Sequence, residues 1–312
     1  MDTLTLFALS ALVGAGIGVL SGMLGIGGGT ILVPVFRLLF NMSPVMSTAT
    51  SLFTIIPTSV SGVASHVRFK TCVVSLGVAT GLGGALTSPV GVWLASISPS
   101  WAIMVAAALI IGWSAVDVLR KAVKESRTAQ AGQSAKGGAK GARLASGDGL
   151  AASARPDGAP AGSAAGPAPA ASGTANDAAS SPSSVKLTRK QLVTGAIIGL
   201  GAGLASGYVG VGGGFIMVPF MLSFVGIPMR LASGTSLMAV MILAVPGVIE
   251  QALFGNINYL AGIAVAVGSI PGAAVGARLV RVVPERTLRF IFSGFLLVAA
   301  VLLALNEFGI LG

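Results

Sequence analysis

The sequence predicts an all-α integral membrane protein of two inverted-topology repeats, and three observations carry that prediction. Of its residues 54% are hydrophobic and 9% charged, against about 25% charged in soluble domains, so its apolar surface faces lipid. A glycine-rich string, Gly22-Met-Leu-Gly25-Ile-Gly27-Gly28-Gly29-Thr30-Ile-Leu-Val-Pro34, returns as Gly207-Tyr-Val-Gly210-Val-Gly212-Gly213-Gly214-Phe215-Ile-Met-Val-Pro219 at a constant offset of 185 residues. Between the two halves, a stretch of Ala, Gly, Ser and Pro has no hydrophobic period. Each repeat is expected to hold four to five hydrophobic helical segments, including a short broken or re-entrant helix.

Residues 4 to 21 form the first apolar helix. Ala11, Gly14, Ala15, Gly16, Gly18 and Ser21 give it small-residue faces that let backbones approach in lipid. The run from Leu4 to Leu20 has no basic n-region and continues into the first string, so it reads as a retained span rather than a cleaved signal peptide. The string breaks the helix, because each Gly costs about 1 kcal/mol relative to Ala. Thr30 to Phe40 is then short. At about 1.5 Å per residue it reaches about 17 Å, against a hydrocarbon core of about 30 Å, which suits a half-helix or one limb of a re-entrant loop. Asn41 to Thr48, with Pro44, forms the next break. Residues 49 to 66 make a helix interrupted by Pro57 and ended by His66, Arg68 and Lys70. Thr71 to about Ile97 spans, Ser98-Pro99-Ser100 turns, Trp101 to Leu119 spans back, and Arg120, Lys121, Lys124 and Arg127 close the half.

The expected domains are a membrane repeat over 1–125, a disordered cytoplasmic linker over 126–185, and a second membrane repeat over 186–312. In the second repeat Thr50-Ser51-Leu52 becomes Thr235-Ser236-Leu237, His66 becomes Gln251, Phe69 becomes Phe254, Gly91 becomes Gly276 and Pro99 becomes Pro284. Eleven of the nineteen Lys and Arg residues fall between Arg120 and Lys190, as expected of cytoplasmic flanks. That bias puts the linker inside together with Arg68, Lys70, Arg230, Arg278, Arg281, Arg286 and Arg289, and the N-terminus outside. Each half then crosses a net odd number of times, which inverts one against the other; Arg37 fits this pattern least.

Topology thus explains the net charge of +10. Without a basic face interleaved with aromatics, no nucleic-acid partner is expected. Cys72 is the only cysteine, leaving neither an intramolecular disulfide nor a thiolate cluster for a metal. No cofactor is expected. The partners are a small anionic substrate and membrane lipid, and the chain is compatible with a homo-oligomer.

A helix break at matching positions in two inverted halves points to a transporter site near the bilayer midplane. Such a break exposes backbone N–H groups, and the half-helix after it turns the positive end of its dipole toward the gap. The candidate anion-binding residues are Gly25, Gly27, Gly28, Gly29 and Thr30 with Gly210, Gly212, Gly213, Gly214 and Phe215. Thr48, Thr50 and Ser51, with Ser233, Thr235 and Ser236, are expected at the start of the following helix, where hydroxyls cap it or donate to the anion; Thr50, Ser51, Thr235 and Ser236 join the candidate set. The bland alternative is that the glycines serve only helix crossing. The strings are neither a dinucleotide fingerprint nor a P-loop, because no strand precedes them and no Lys-Ser/Thr follows.

His66, the sole histidine, can carry a proton near neutral pH but is expected at an interfacial helix end. Glu250 and Asp117 are the acids in or near spans. His66 and Glu250 are the candidates for coupling. No nucleophile, base and orienting group converge, so an enzyme is not expected. Trp93, Trp101 and Trp113 suit interfacial or packing roles.

The paired strings resemble the duplicated glycine-rich motif of the TauE/SafE sulfite exporter family of bacterial membrane permeases. The resemblance covers both membrane halves and omits the linker, which looks like an insertion relative to compact members. It implies a secondary transporter that moves sulfite, sulfoacetate or a related organosulfur anion across the inner membrane by alternating access. Gln251 opposite His66 departs from the symmetry that a shared proton-coupling scheme would need. The residues alone also leave open an anion channel, or a non-transporting membrane scaffold with the linker as its docking arm.

Overall fold

Glycines set both where the helices stop and how closely they pack. The computed structural model describes residues 3–99, 101–121, 123 and 188–307, so the expected linker lies outside the described residues. The first half holds α1 (Thr3–Leu24), α2 (Gly29–Phe40), α3 (Pro44–Arg68), α4 (Val74–Ile97) and α5 (Trp101–Lys121). The second holds α6 (Arg189–Val209), α7 (Gly214–Phe220, continuing as a π-helical turn over Met221–Val225), α8 (Met229–Leu253), α9 (Tyr259–Leu279) and α10 (Glu285–Glu307). There is no strand among the described residues, and the two membrane halves belong to one contact unit.

Six of these helices, α1, α4, α5, α6, α8 and α9, are long and apolar enough to cross a membrane; the chain is a multi-pass membrane protein. α3 has 25 residues, but its many Ser and Thr residues lower its hydropathy. α2, and the run Gly214–Val225 formed by α7 and its π turn, are the two short apolar pieces. At about 1.5 Å per residue each covers about 18 Å, little more than half the hydrocarbon core.

Two boundaries differ from the sequence expectation. α3 begins at Pro44 rather than residue 49, because proline fits the first turn of a helix, where its missing N–H has no partner to lose. The Ser43 side chain caps that turn by accepting from Met46 N at 3.3 Å, and the break shrinks to residues 41–43, with Asn41 in the left-handed region. Thr48, Thr50 and Ser51 therefore lie inside the helix rather than capping it, as do Ser233, Thr235 and Ser236 in α8. Pro57 does not interrupt α3 either. On both sides of it the helix is tied by hydroxyls, with Thr54 Oγ1 donating to Thr50 O at 2.9 Å and Thr58 Oγ1 to Thr54 O at 2.8 Å.

α1 packs against α9 and α6 against α4 by backbone contact. A Cβ built at Gly14, Gly18 or Gly22 would meet the carbonyl oxygen of Val265, Ser269 or Ala273 at 2.2–2.3 Å, and one at Gly199, Gly203 or Gly207 that of Thr80, Gly84 or Ser88 at 2.0–2.1 Å. Each rising series means a parallel pair, and the two series are related by the offset of 185 residues. α3 also runs parallel to α9, with Thr54 Oγ1 on Gly262 O at 3.4 Å and Ser61 Oγ on Ile270 O at 2.7 Å. α3 and α8 run antiparallel: Gly62 faces Leu237, while Leu52 faces Gly247. Small residues make this contact because lipid offers apolar side chains no incentive to leave it, so close van der Waals approach drives association.

Candidate functional site

The two glycine strings meet in the middle of the molecule. Residues 21–30 and 209–219 are buried throughout. A Cβ at Gly29 would lie 2.2 Å from the Val211 carbonyl oxygen, and one at Gly214 would lie 2.5 Å from that of Gly25. The strings thus cross backbone on backbone. Gly28 and Gly213, which precede α2 and α7, have φ of 85° and 67°, a left-handed conformation that glycine adopts without strain. Ile55 and Val240, themselves 185 residues apart, press on Gly27 and Gly212 as a shared apolar lid.

Hydroxyls from each half hold the string or loop of the other. Ser51 Oγ donates to Gly210 O and Ser236 Oγ to Gly25 O, both at 2.8 Å. Thr50 Oγ1 accepts from Asn258 N at 3.0 Å, and Thr235 Oγ1 from Val73 N at 2.9 Å. The structure therefore brings all four hydroxyl residues to the strings or to the loops beside them, with each oxygen engaged by backbone. Thr48 Oγ1 donates to Val45 O at 2.8 Å, and Ser233 Oγ to Arg230 O at 3.0 Å. In α7, Pro219 cannot donate to the carbonyl four residues earlier, so Phe215 O accepts instead from Ser114 Oγ of α5.

Two sets of polar atoms remain unpaired. Among the described residues, no acceptor takes the N–H groups of Ile26, Gly27, Gly28, Gly29 or Thr30, nor those of Val211, Gly212, Gly213 or Phe215. The buried hydroxyls of Ser21, Thr30 and Ser206 likewise have no partner. Ser21 sits beside Gly28 and Ser206 beside Gly213, their Cβ atoms 3.5 and 3.3 Å from where a glycine Cβ would stand. Buried polar groups are nearly always hydrogen-bonded, so a matched pair of exceptions at matching breaks calls for a ligand. Ser21 and Ser206 were missing from the sequence-derived candidate set, although each immediately precedes a string at the same offset.

His66 is fully buried instead of interfacial. Its Nε2 lies 2.8 Å from Gly22 O and its Nδ1 2.7 Å from Thr71 Oγ1. The carbonyl can only accept, so Nε2 carries a proton. Gln251 takes the equivalent place, its Oε1 accepting from Asn256 Nδ2 at 2.8 Å. Glu250 lies near the far end of α8, beyond the Leu52–Gly247 contact, with Oε2 buried and unpaired. The antiparallel α3–α8 packing keeps Glu250 and His66 apart, so the structure does not join the two candidate coupling residues. Cys72, in the loop after α3, has its thiol pushed up to about 11 by burial. Among the described residues no cluster of His, Cys, Asp and Glu could hold a metal ion.

The family Sulfite exporter TauE/SafE matches residues 10–303. The chain is similar to the probable membrane transporter protein YunE of Bacillus subtilis, 22% identical over 90% of this chain and 91% of that protein. It is also similar to the probable membrane transporter protein YdhB of the same organism, 24% identical over 88% of this chain and 90% of the other. Against the probable membrane transporter protein MamO of Magnetospirillum gryphiswaldense it is 34% identical, over 34% of this chain and 18% of that one. No solved structure gives a significant match. With the family matched across both membrane halves and both glycine strings, the chain belongs to the TauE/SafE sulfite exporter family of membrane transporters.

Proposed function

We propose that the protein is a secondary transporter in the bacterial inner membrane that carries a small oxyanion, sulfite, sulfoacetate or a related organosulfur compound, through a site formed where the two glycine strings cross. The observation that carries this reading is the matched set of unpaired donors: string amides on both sides, with Ser21 and Thr30 on one and Ser206 on the other. An oxyanion accepts several hydrogen bonds at once, and the first turns of α2 and of the run Gly214–Val225 add dipoles of the favourable sign. No charged side chain need be buried. The cargo class comes from the family description and from this chemistry.

The two halves are read as inverted repeats related by a pseudo-twofold axis in the membrane plane. In support, α3 and α8 occupy equivalent places in the repeat and run antiparallel. Their interhalf bonds also exchange with one another: Ser51 with Ser236 and Thr50 with Thr235. With the basic ends of α3 and α9 and the start of α8 on the cytoplasmic side, the N-terminus is outside. The strings are buried from both sides, an occluded arrangement from which each half can rock to open one face. Among the candidate residues, Ser51, Ser236, Thr50 and Thr235 position the strings, and the amides with Ser21, Thr30 and Ser206 meet the anion. His66 and Glu250 remain coupling candidates, tested by flux at varied pH.

The test is uptake and efflux of a sulfite, sulfoacetate and sulfate panel in proteoliposomes. Saturable flux of at least one sulfur oxyanion is expected. Currents that rise without saturation would replace the carrier with a channel, and no flux for any member would remove the oxyanion reading.

A further inference from the structure

Apart from the strings, the structure holds one concentration of like charge that no described contact neutralises. Arg68 and Phe69, at the end of α3, and Arg278, Arg281 and Val282, at the end of α9, line an open cleft of about 640 Å³. The guanidinium of Arg281 lies 5.0 Å from the centroid of the Phe69 ring, a cation–π contact that fixes its position and leaves its N–H edge free. Among the described residues no carboxylate pairs with Arg68, Arg278 or Arg281. Glu285, the acid at the start of α10, is already taken by Arg289 at 2.9 Å and by Met229 N at 2.8 Å. Arg230 joins the same end of the molecule through a bond to Val283 O at 3.0 Å.

Three guanidinium groups around one cleft repel each other unless an anion lies among them. The planar fork of arginine matches a phosphate or sulfonate group with two parallel hydrogen bonds. The cleft also has an apolar wall in Phe69 and Val282, and Val282 is 80% exposed, which would suit the glycerol and upper acyl carbons of a lipid. Basic pockets at helix ends facing the cytoplasm are where anionic headgroups bind. We propose that Arg68, Arg278 and Arg281 form a phosphate-group binding site, separate from the glycine strings, that takes the headgroup of an anionic phospholipid or free phosphate. The site does not depend on the transport reading, because neither its residues nor its chemistry is shared with the strings.

The test places the whole protein in nanodiscs and compares wild type with Arg68→Gln/Arg281→Gln and with Arg286→Gln, an exposed arginine outside the cleft. One arm measures retention of phosphatidylglycerol against phosphatidylcholine by native mass spectrometry. The other measures inorganic phosphate binding by calorimetry in phosphatidylcholine discs. Loss of two charge-assisted hydrogen-bonding groups should weaken binding at least about tenfold, with Arg286→Gln behaving as wild type and all melting points matched. A loss confined to the lipid arm assigns a headgroup, and a loss in the phosphate arm assigns a free ion. The proposal is overturned if wild type shows neither preference, if the double variant binds as wild type in both arms, or if Arg286→Gln weakens binding as much as the double variant.

Discussion

Replacing both Ser21 and Ser206 with alanine is expected to raise the half-saturating concentration for sulfite or sulfoacetate about a hundredfold while leaving the melting temperature unchanged or slightly higher. The two hydroxyls are buried and bond to no protein group, so removing them deprives the fold of nothing and relieves the desolvation of unpaired polar atoms. A hydrogen bond to a charged ligand contributes about 1.5–3 kcal/mol, and every 1.4 kcal/mol is about tenfold in affinity. The opposite pattern, lost stability with normal flux, would make these serines packing residues. Proteoliposome flux with thermal melting of the same preparations checks both halves of the prediction.

Gly29→Val and Gly214→Val should each abolish accumulation of folded protein. Their side chains would meet backbone: Val211 O at 2.2 Å from the first and Gly25 O at 2.5 Å from the second. Backbone cannot swing aside as a side-chain tip can, and both strings are already tied by Ser51 and Ser236. A loss of more than about 4 kcal/mol is expected, the scale reserved for overpacking and broken buried networks. Gly16→Ala and Gly201→Ala are the internal controls. They too are 185 residues apart, with nothing within 4 Å of the added carbon, and each should gain up to about 1 kcal/mol from helix propensity. Membrane abundance by immunoblot and detergent melting curves separate the two outcomes.

What could be read in the sequence was whatever rests on local chemistry. The breaks at Gly25–Gly29 and Gly210–Gly214, the short α2 and the helix ends near Arg68 and Lys121 follow from glycine, length and charge placement alone. Pro44 misled, since a proline that breaks a helix and one that begins it look alike until the chain before it is seen to turn at Asn41. His66 was expected at the interface because Arg68 follows it, yet Gly22 O, 44 residues away, buries it and fixes its ring. The repeat singled out Ser51 and Ser236, but not their acceptors, which lie 159 and 211 residues distant. Long-range partners of this kind depend on packing that no local pattern encodes. Ser21 and Ser206 stood out only once their lack of a partner was visible.

The most direct test of the oxyanion site is protection of a cysteine placed at Thr30, whose hydroxyl is buried and unpaired at the start of α2. Thr30→Cys in a Cys72→Ser background would be labelled with a membrane-impermeant maleimide in proteoliposomes, with and without sulfoacetate. The result expected is labelling that sulfoacetate slows in a saturable manner, at concentrations matching those for flux. Labelling at the same rate at every sulfoacetate concentration, or no labelling from either side of the membrane, would contradict an anion site at the crossing of the two strings.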